Sequence, residues 1–105
     1  MVNPLTASTA TSYTFVSGNQ SSVLQFTNAG TVTATVSTAT ALTSGQRIDV
    51  VADGAAGVII TAGSGVSFAG AGTVATSYAV TQYDAATILC VGSNAYRIIG
   101  NITAV

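Results

Sequence analysis

Few side chains in this sequence could carry out chemistry, and they are scattered along it. The carboxylates are Asp49, Asp53 and Asp84, and the single thiol is Cys90. Two carboxylates about 5–9 Å apart could hydrolyse a glycosidic bond, so a hydrolase that uses Asp49 and Asp84 is one hypothesis. A catalytic hydroxyl or thiol needs a neighbouring base, and the chain contains neither histidine nor lysine. We therefore expect no catalytic residues.

The aspartates also have structural interpretations. Asp53 precedes Gly54, and this dipeptide is typical of a two-residue turn between antiparallel strands. Asp49 could form an ion pair with Arg47 or Arg97. Both interpretations make the carboxylates part of the fold rather than part of a reaction centre.

The remaining candidate motifs favour structure as well. Cys90 lies in the apolar run 88–91, which predicts a buried and unreactive thiol. One cysteine without any histidine predicts no zinc site of the ordinary type. Residues 70–75 match the G-x-G-x-x-A dinucleotide fingerprint, but that fingerprint requires a helix next, and a strand pattern follows here. We expect no metal and no cofactor.

The composition excludes other classes. The chain has 105 residues, enough for one domain, and only 5% are charged, against about 25% in an ordinary soluble domain. Two arginines are too few for the basic surface that nucleic acids require. The long uncharged stretch 54–83 has too few large aliphatic residues for a membrane span. The N-terminus lacks the features of a secretory signal, so we expect synthesis in the cytoplasm.

Apolar and hydroxyl side chains alternate through most of the sequence. Val32, Ala34 and Val36, for example, alternate with threonines, and this period of two is typical of strands with one buried face. The pattern predicts an all-β chain: a single antiparallel β-sandwich, jelly-roll-like, with eight or nine short strands. We assign residues 12–105 to this sandwich domain and residues 1–11 to an extended N-terminal arm.

Turn signals and apolar positions complete this prediction. Asp53-Gly54 predicts one hairpin, and residues 92–94 predict a second hairpin with a three-residue loop. The predicted core contains Phe15, Leu24, Phe26, Val36, Ile48, Val50, Ile60, Phe68, Ile88, Ile98 and Ile102.

The lack of charge favours an assembled protein. Alanine, threonine and serine together fill 46 positions, so the outward faces must be largely neutral. A soluble monomer ordinarily relies on surface charge to prevent association and on charged edge strands to prevent sheet pairing. We therefore expect the sheet edges and the surplus apolar surface to be covered by other subunits.

Three segments resemble one known β-module. Residues 44–51 (SGQRIDVV) resemble the G-T-x-I-x-V-x-Q strand of a module found in virion proteins of tailed phages. Residues 57–68 (GVIITAGSGVSF) are similar to its V-T-I-x-A-G-S-G-V-T hairpin. Residues 83–102 (YDAATILCVGSNAYRIIGNI) are similar to its Y-A-x-A-T-L-I-x-V-G-x-N-x-W-x-x-x-G-D-L segment. The resemblance covers residues 12–102, with Tyr96 where tryptophan is usual and with Asn28 and Asn101 where aspartate is usual.

The resemblance implies a non-enzymatic phage capsid decoration protein, also called a cement protein. Such a protein binds the outer capsid lattice as a homotrimer and stabilises the head. Its partners would be the major capsid protein and further copies of itself, and it would reside on the capsid surface of the virion after synthesis in the host cytoplasm. The alternative is a tail-fibre or head-fibre module that binds a host receptor or glycan. A short chain without a fibre shaft favours decoration.

Two groups of residues are the expected contacts. Val2, Asn3, Pro4 and Leu5 precede the first predicted strand and have no predicted pairing partner. We assign them to the capsid contact because an extended arm can add a strand to a neighbouring sheet edge.

The subunit interface is assigned to Asp84, Tyr96 and Arg97. Arg97 and Asp84 would form a charged pair across that contact and fix its register.

Overall fold

Short strands form most of the regular structure in the computed structural model, which describes residues 5–70 and 72–105. In that part of the chain the strands number twelve, more than the eight or nine predicted. Their bounds are β1 Leu5–Ser8, β2 Ser12–Thr14, β3 Val23–Phe26, β4 Val32–Val36, β5 Arg47–Ala52, β6 Val58–Ala62, β7 Ser67–Gly70, β8 Thr73–Val74, β9 Ser77–Val80, β10 Ala85–Gly92, β11 Ala95–Gly100 and β12 Ile102–Ala104. A 3₁₀ turn spans Ser17–Asn19.

The strands form two sheets around a common core, so the predicted all-β sandwich is confirmed. One sheet has seven strands in the order β1-β3-β5-β10-β11-β7-β8. The other has five strands in the order β12-β9-β6-β4-β2. All eleven predicted core residues are buried, because each occupies the inward position of an alternating strand or the segment beside it. Tyr78 and Tyr96 are also fully buried there.

Strand direction differs from the prediction in the first half of the chain. From β1 to β6 the chain alternates between the two sheets, so that β1, β3 and β5 are parallel neighbours in one sheet. In the same way β2, β4 and β6 are parallel neighbours in the other. Residues 5–62 thus wind as a stack of two-strand turns, which we call the parallel stack. The prediction of a wholly antiparallel, jelly-roll-like sandwich is wrong for this half.

The second half has the expected antiparallel geometry in its central strands. β10 pairs antiparallel with both β5 and β11, and β9 pairs antiparallel with β6 and β12. β10 and β11 form the predicted hairpin, with a register shift between Cys90 and Gly92 that shortens the loop to two residues. Asn94 in that loop has a φ of +53°.

The Asp53-Gly54 turn is not a hairpin, so the prediction of a hairpin at this position is wrong. It connects β5 of the seven-stranded sheet to β6 of the five-stranded sheet and forms a corner of the parallel stack. The N–H groups of both residues donate to the carbonyl oxygen of Phe26. A Cβ on Gly54 would lie 1.8 Å from the carbonyl oxygen of Asn28. Glycine is therefore required here by the close approach of two successive turns of the stack.

The N-terminal arm also differs from expectation in its described part. Leu5–Ser8 form β1, which pairs in parallel with β3 at the edge of the seven-stranded sheet. The amide of Thr27 donates to the carbonyl oxygen of Ser8 and extends this pairing. These residues are therefore part of the domain and not a free arm.

Candidate functional site

The outer faces of the two sheets differ in chemistry. On the five-stranded sheet, strand register places Thr14, Thr35, Thr61 and Ser77 in one row across four strands. The hydroxyl oxygens of Thr61 and Ser77 lie 2.7 Å apart in a hydrogen bond. We call this outer surface the hydroxyl face. Its outward residues are mostly small and uncharged, as expected for the solvated side of a sheet.

The outer surface of the seven-stranded sheet carries both arginines, and we call it the arginine face. Arg47 on β5 and Arg97 on β11 are both in register with Leu89 on β10, which lies between them. Both arginine side chains are exposed. The next row along the strands contains Val23, Asp49, Thr87 and Ile99.

Large apolar side chains are exposed on the arginine face. Leu5, Val74, Val91 and Ile99 are 64%, 84%, 44% and 51% exposed, and strand alternation turns all four outward on this sheet. The four side chains lie on four different strands, from β1 at one edge of the sheet to β8 at the other, so they are spread over the face and do not form one contiguous patch. An outward sheet face in solvent is ordinarily polar, so this face is less polar than expected.

A shallow groove of about 450 Å³ lies at the β8 side of the arginine face. Arg97 and Val74 line it together with small residues of the β7–β8 hairpin. The groove is therefore lined by one guanidinium group and by small side chains, and it forms part of the arginine face.

The three aspartates accept hydrogen bonds from neutral side chains. The Oδ1 of Asp49 accepts from the hydroxyl of Thr87 at 2.7 Å. Asp53 accepts from the Gln25 side-chain amide. The separate interpretation that Asp49 pairs with an arginine is replaced by this bond to Thr87.

Asp84 is held in the same way. Its Oδ2 accepts from the Thr81 hydroxyl at 2.6 Å and from the Asn101 amide at 3.0 Å. Asp53 follows β5 and Asp84 precedes β10, which is antiparallel to it, so both lie at one end of the arginine face. We call this the aspartate end, and the arginine row lies towards the opposite end of the same strands.

The residues predicted for the subunit interface are not brought together. Arg97 is exposed in the middle of β11, where its guanidinium donates to its neighbour's carbonyl at 3.5 Å. Asp84 lies at the aspartate end, so the two do not meet within the chain. Whether they pair between subunits stays a prediction.

Tyr96 requires a correction. Its side chain is fully buried, and its hydroxyl oxygen accepts from the Leu42 amide at 3.3 Å. Burial raises the pKa of Tyr96 above its ordinary value of 10.0, although the Leu42 hydrogen bond acts in the opposite direction. Tyr96 is a core residue and cannot contact another subunit in this fold.

The predicted capsid contact is only partly described. Val2, Asn3 and Pro4 lie outside the described residues. Leu5 is exposed on edge strand β1, although it pairs with Val23 of the adjacent strand. The outer edges of β1 and of β2, at the same end of the parallel stack, have no further strand beside them in the described part of the chain.

The tyrosines do not form a common aromatic platform. Tyr78 is buried, and its hydroxyl donates to the Thr73 carbonyl oxygen at 2.9 Å. Tyr13 is half-buried and packs edge-on against Phe15 at 5.4 Å between ring centres. Tyr83 alone is largely exposed, at 78%, beside the aspartate end.

The thiol is buried as predicted. Cys90 is 1% exposed, and its Sγ donates towards the carbonyl oxygens of Leu42 and Gly92 at 3.2 and 3.1 Å. No group of three or more potential metal ligands is found within residues 5–70 and 72–105. In the same residues, no helix has the length and apolar character needed to cross a membrane.

These features make the arginine face, with the aspartate end and the bare edge of the parallel stack, the candidate interaction surface. Comparison with known proteins adds no further assignment, because no protein-family model, curated protein or solved structure matches the chain.

Proposed function

We propose that this protein is a non-enzymatic capsid decoration protein that binds the outer capsid lattice of a tailed phage as a homotrimer. The observation that carries the proposal is the exposed apolar surface of the arginine face, on a domain with very little charge. Covering these side chains with another protein would remove apolar area from water and would desolvate few charges. The decoration role and the three-fold symmetry come from the resemblance to the phage β-module.

The groups that could support catalysis are engaged in the fold. The thiol of Cys90 is buried under two carbonyl groups. Asp49 and Asp84, the residues of the hydrolase hypothesis, accept from the Thr87 hydroxyl and the Asn101 amide. These contacts favour a structural role for both carboxylates over a hydrolytic one.

The capsid contact is proposed to include the N-terminal residues and the edge beside them. Strand β1 presents an uncharged edge, which can pair with a strand of another protein. Residues 2–5 immediately precede or begin this edge, so a capsid segment that pairs with β1 would also contact them.

The proposal is tested by adding the purified protein to capsids that lack it and reconstructing the particles by electron microscopy. We expect density at every equivalent lattice position, corresponding to hundreds of copies. A deletion of residues 2–4 leaves β1 intact and should reduce occupancy strongly, whereas Thr33→Ala on the hydroxyl face is the matched control and should bind fully. Empty lattice positions with the unmodified protein would contradict the decoration role.

The alternative, a fibre module that binds a receptor or glycan, has one observation in its favour. Tyr83 is exposed with a φ of +67°, and it lies between Gln82 and Asp84 in the chain. An exposed aromatic ring whose neighbours in the chain carry an amide and a carboxylate is suited to stacking on a sugar. Binding to a glycan array that disappears in Tyr83→Ala, together with only a few copies per virion, would favour this alternative.

A further inference from the structure

We propose that two copies of this chain pack face to face through their arginine faces, about a two-fold axis that lies across the strands. This contact goes beyond the proposed decoration function, and it assigns Arg97 and Asp84 to a two-fold contact instead of the three-fold one. The partner is inferred from the charges of the chain itself, because the arrangement of charges on this face is complementary to its own rotated copy.

The charges are separated along the strands. Arg47 and Arg97 lie in one row of the seven-stranded sheet, on either side of Leu89. Asp53 lies six positions after Arg47, beyond the end of β5, which corresponds to about 20 Å of strand. Asp84 lies five positions before Leu89, at the same end. The face is therefore positive towards one end and negative at the other.

A two-fold rotation about an axis across the strands reverses the strand direction and keeps each strand near its own position. With the axis midway between the charged ends, Arg47 of one copy lies opposite Asp53 of the other. Arg97 of one copy lies within about one strand spacing, ~5 Å, of Asp84 of the other. Each of these pairs occurs twice, as in any isologous contact.

Apart from Asp49, the residues in the middle of the face are uncharged. Val23 and Ile99 lie in the row of Asp49, while Val51 and Ala85 lie in the next row. Seven strands at about 4.8 Å span roughly 30 Å, and the charged ends lie about 20 Å apart along the strands. The projected area of the face is therefore on the order of 600 Å². This area is close to the ~800 Å² per partner of a standard protein interface.

Asp49 makes the position of the axis testable. It lies near the middle of the face, so the rotation brings the two copies of Asp49 near one another, whereas Asp53 meets an arginine. Replacing either residue by asparagine keeps an oxygen that accepts a hydrogen bond and removes one negative charge. The same substitution should therefore have opposite effects at two positions only four residues apart.

The experiment measures the molar mass of the full chain by light scattering over a concentration series. We expect twice the 10.3 kDa chain mass, or six times this mass if the trimer forms as well. The two-fold dissociation constant should rise about five- to twentyfold in Asp53→Asn, since two exposed ion pairs are lost. It should fall in Asp49→Asn. The double variant Arg47→Glu/Arg97→Glu should abolish the contact, and Thr33→Glu/Thr35→Glu on the hydroxyl face is the control that should retain it.

Cross-linking provides an independent readout. Ala85→Cys places an exposed thiol near the proposed axis, and Thr33→Cys places one on the hydroxyl face, while the native Cys90 is buried. A short bis-maleimide should join two copies of Ala85→Cys and not two copies of Thr33→Cys. Equal shifts of the same sign in Asp49→Asn and Asp53→Asn would overturn the proposal. A molar mass of one chain or of three chains would also overturn it, if the arginine substitutions left that mass unchanged.

Discussion

Two regions of the molecule bury similar side chains but connect their strands differently. One is the parallel stack, residues 5–62, and the other comprises the antiparallel strands of residues 77–104. In the stack, each turn places one strand in each sheet, and the next turn lies beside it in parallel register. In the second part, β10 and β11 return along one another through a two-residue loop. The difference lies in the connections, because a parallel pair needs a long crossover between its strands. In the stack, a strand of the opposite sheet supplies that crossover.

The comparison has a consequence for stability. The turns of the stack depend on close backbone contacts at corners and on side chains that pack turn upon turn. The hairpin depends on local hydrogen bonds and on the conformation of its loop. Substitutions in the strands and corners of the parallel stack should therefore lower the free energy of unfolding more than substitutions in the hairpin loop.

The largest effect is expected for Phe26→Ala in the stack. Phe26 is fully buried and packs edge-on against Tyr13 and Phe15, at 5.5 and 6.5 Å between ring centres. Removing the ring should lower the free energy of unfolding by about 3–5 kcal/mol, as measured by urea denaturation. A loss below ~1 kcal/mol would show that this aromatic cluster does not hold the two sheets together.

Gly54→Ala tests the corner of the stack. The new methyl group would collide with the backbone carbonyl of Asn28, which cannot move without displacing the turn beneath it. We expect a loss of about 1–3 kcal/mol in the free energy of unfolding. Gly18→Ala is the matched control, because nothing lies within 4 Å of the added carbon there, and its thermal midpoint should stay near that of the unmodified protein.

Tyr96→Phe tests the central sheet and its pH dependence. The substitution leaves the buried Leu42 amide without its acceptor and should cost about 1 kcal/mol. The pKa of Tyr96 is raised in the folded state, so the unfolded chain releases this proton first as the pH rises. Stability of the unmodified protein should therefore fall above pH 10.0, and this slope should be smaller in Tyr96→Phe. Identical slopes in both proteins would assign the loss to other groups.

The smallest effect is expected at Asn94 in the β10–β11 loop. Its positive φ is accepted by asparagine and is freely available to glycine. Asn94→Gly should change the free energy of unfolding by less than about 0.5 kcal/mol, whereas Asn94→Ala should cost about 1 kcal/mol. Equal values for the two variants in parallel denaturation curves would mean that the loop relaxes on substitution.

The alternation of side chains was sufficient to predict the core but not the strand directions. Val50 and Ile88 are buried because each is an inward residue of its strand, and this holds for parallel and antiparallel neighbours alike. The turns of the stack also have unequal lengths, since Leu5 pairs with Val23 and Val23 pairs with Asp49. No regular repeat therefore marks the winding in the sequence.

Long-range polar contacts were the other feature that the sequence did not reveal. Thr40 is fully buried because its hydroxyl donates to the Phe15 carbonyl oxygen at 2.7 Å. Tyr96 is buried because the loop that contains Leu42 supplies a hydrogen-bond partner. Both partners are distant in sequence, so burial of these polar groups could not be inferred from alternation.

The positions of the charged residues on the fold could not be predicted from the sequence. The shortage of charge led us to expect an assembled protein, which stays a prediction. Arg97 lies within β11, whereas Asp84 precedes β10 and belongs to no strand. Their placement at different ends of one face depends on the register of β10 with β11 and β5. That register follows from the hairpin loop and the parallel stack together, which a local pattern does not contain.

The position of the arginines also determines how susceptible the folded protein is to trypsin. A protease that cuts after lysine or arginine finds only two sites in this chain, after Arg47 and after Arg97. Arg97 lies in a strand that is paired on both sides, and Arg47 is paired with Leu89 while its carbonyl accepts from the Ser21 amide at 2.7 Å. Cleavage requires an extended segment that has separated from its neighbouring strands. The rate of trypsin digestion therefore reports how often the seven-stranded sheet opens.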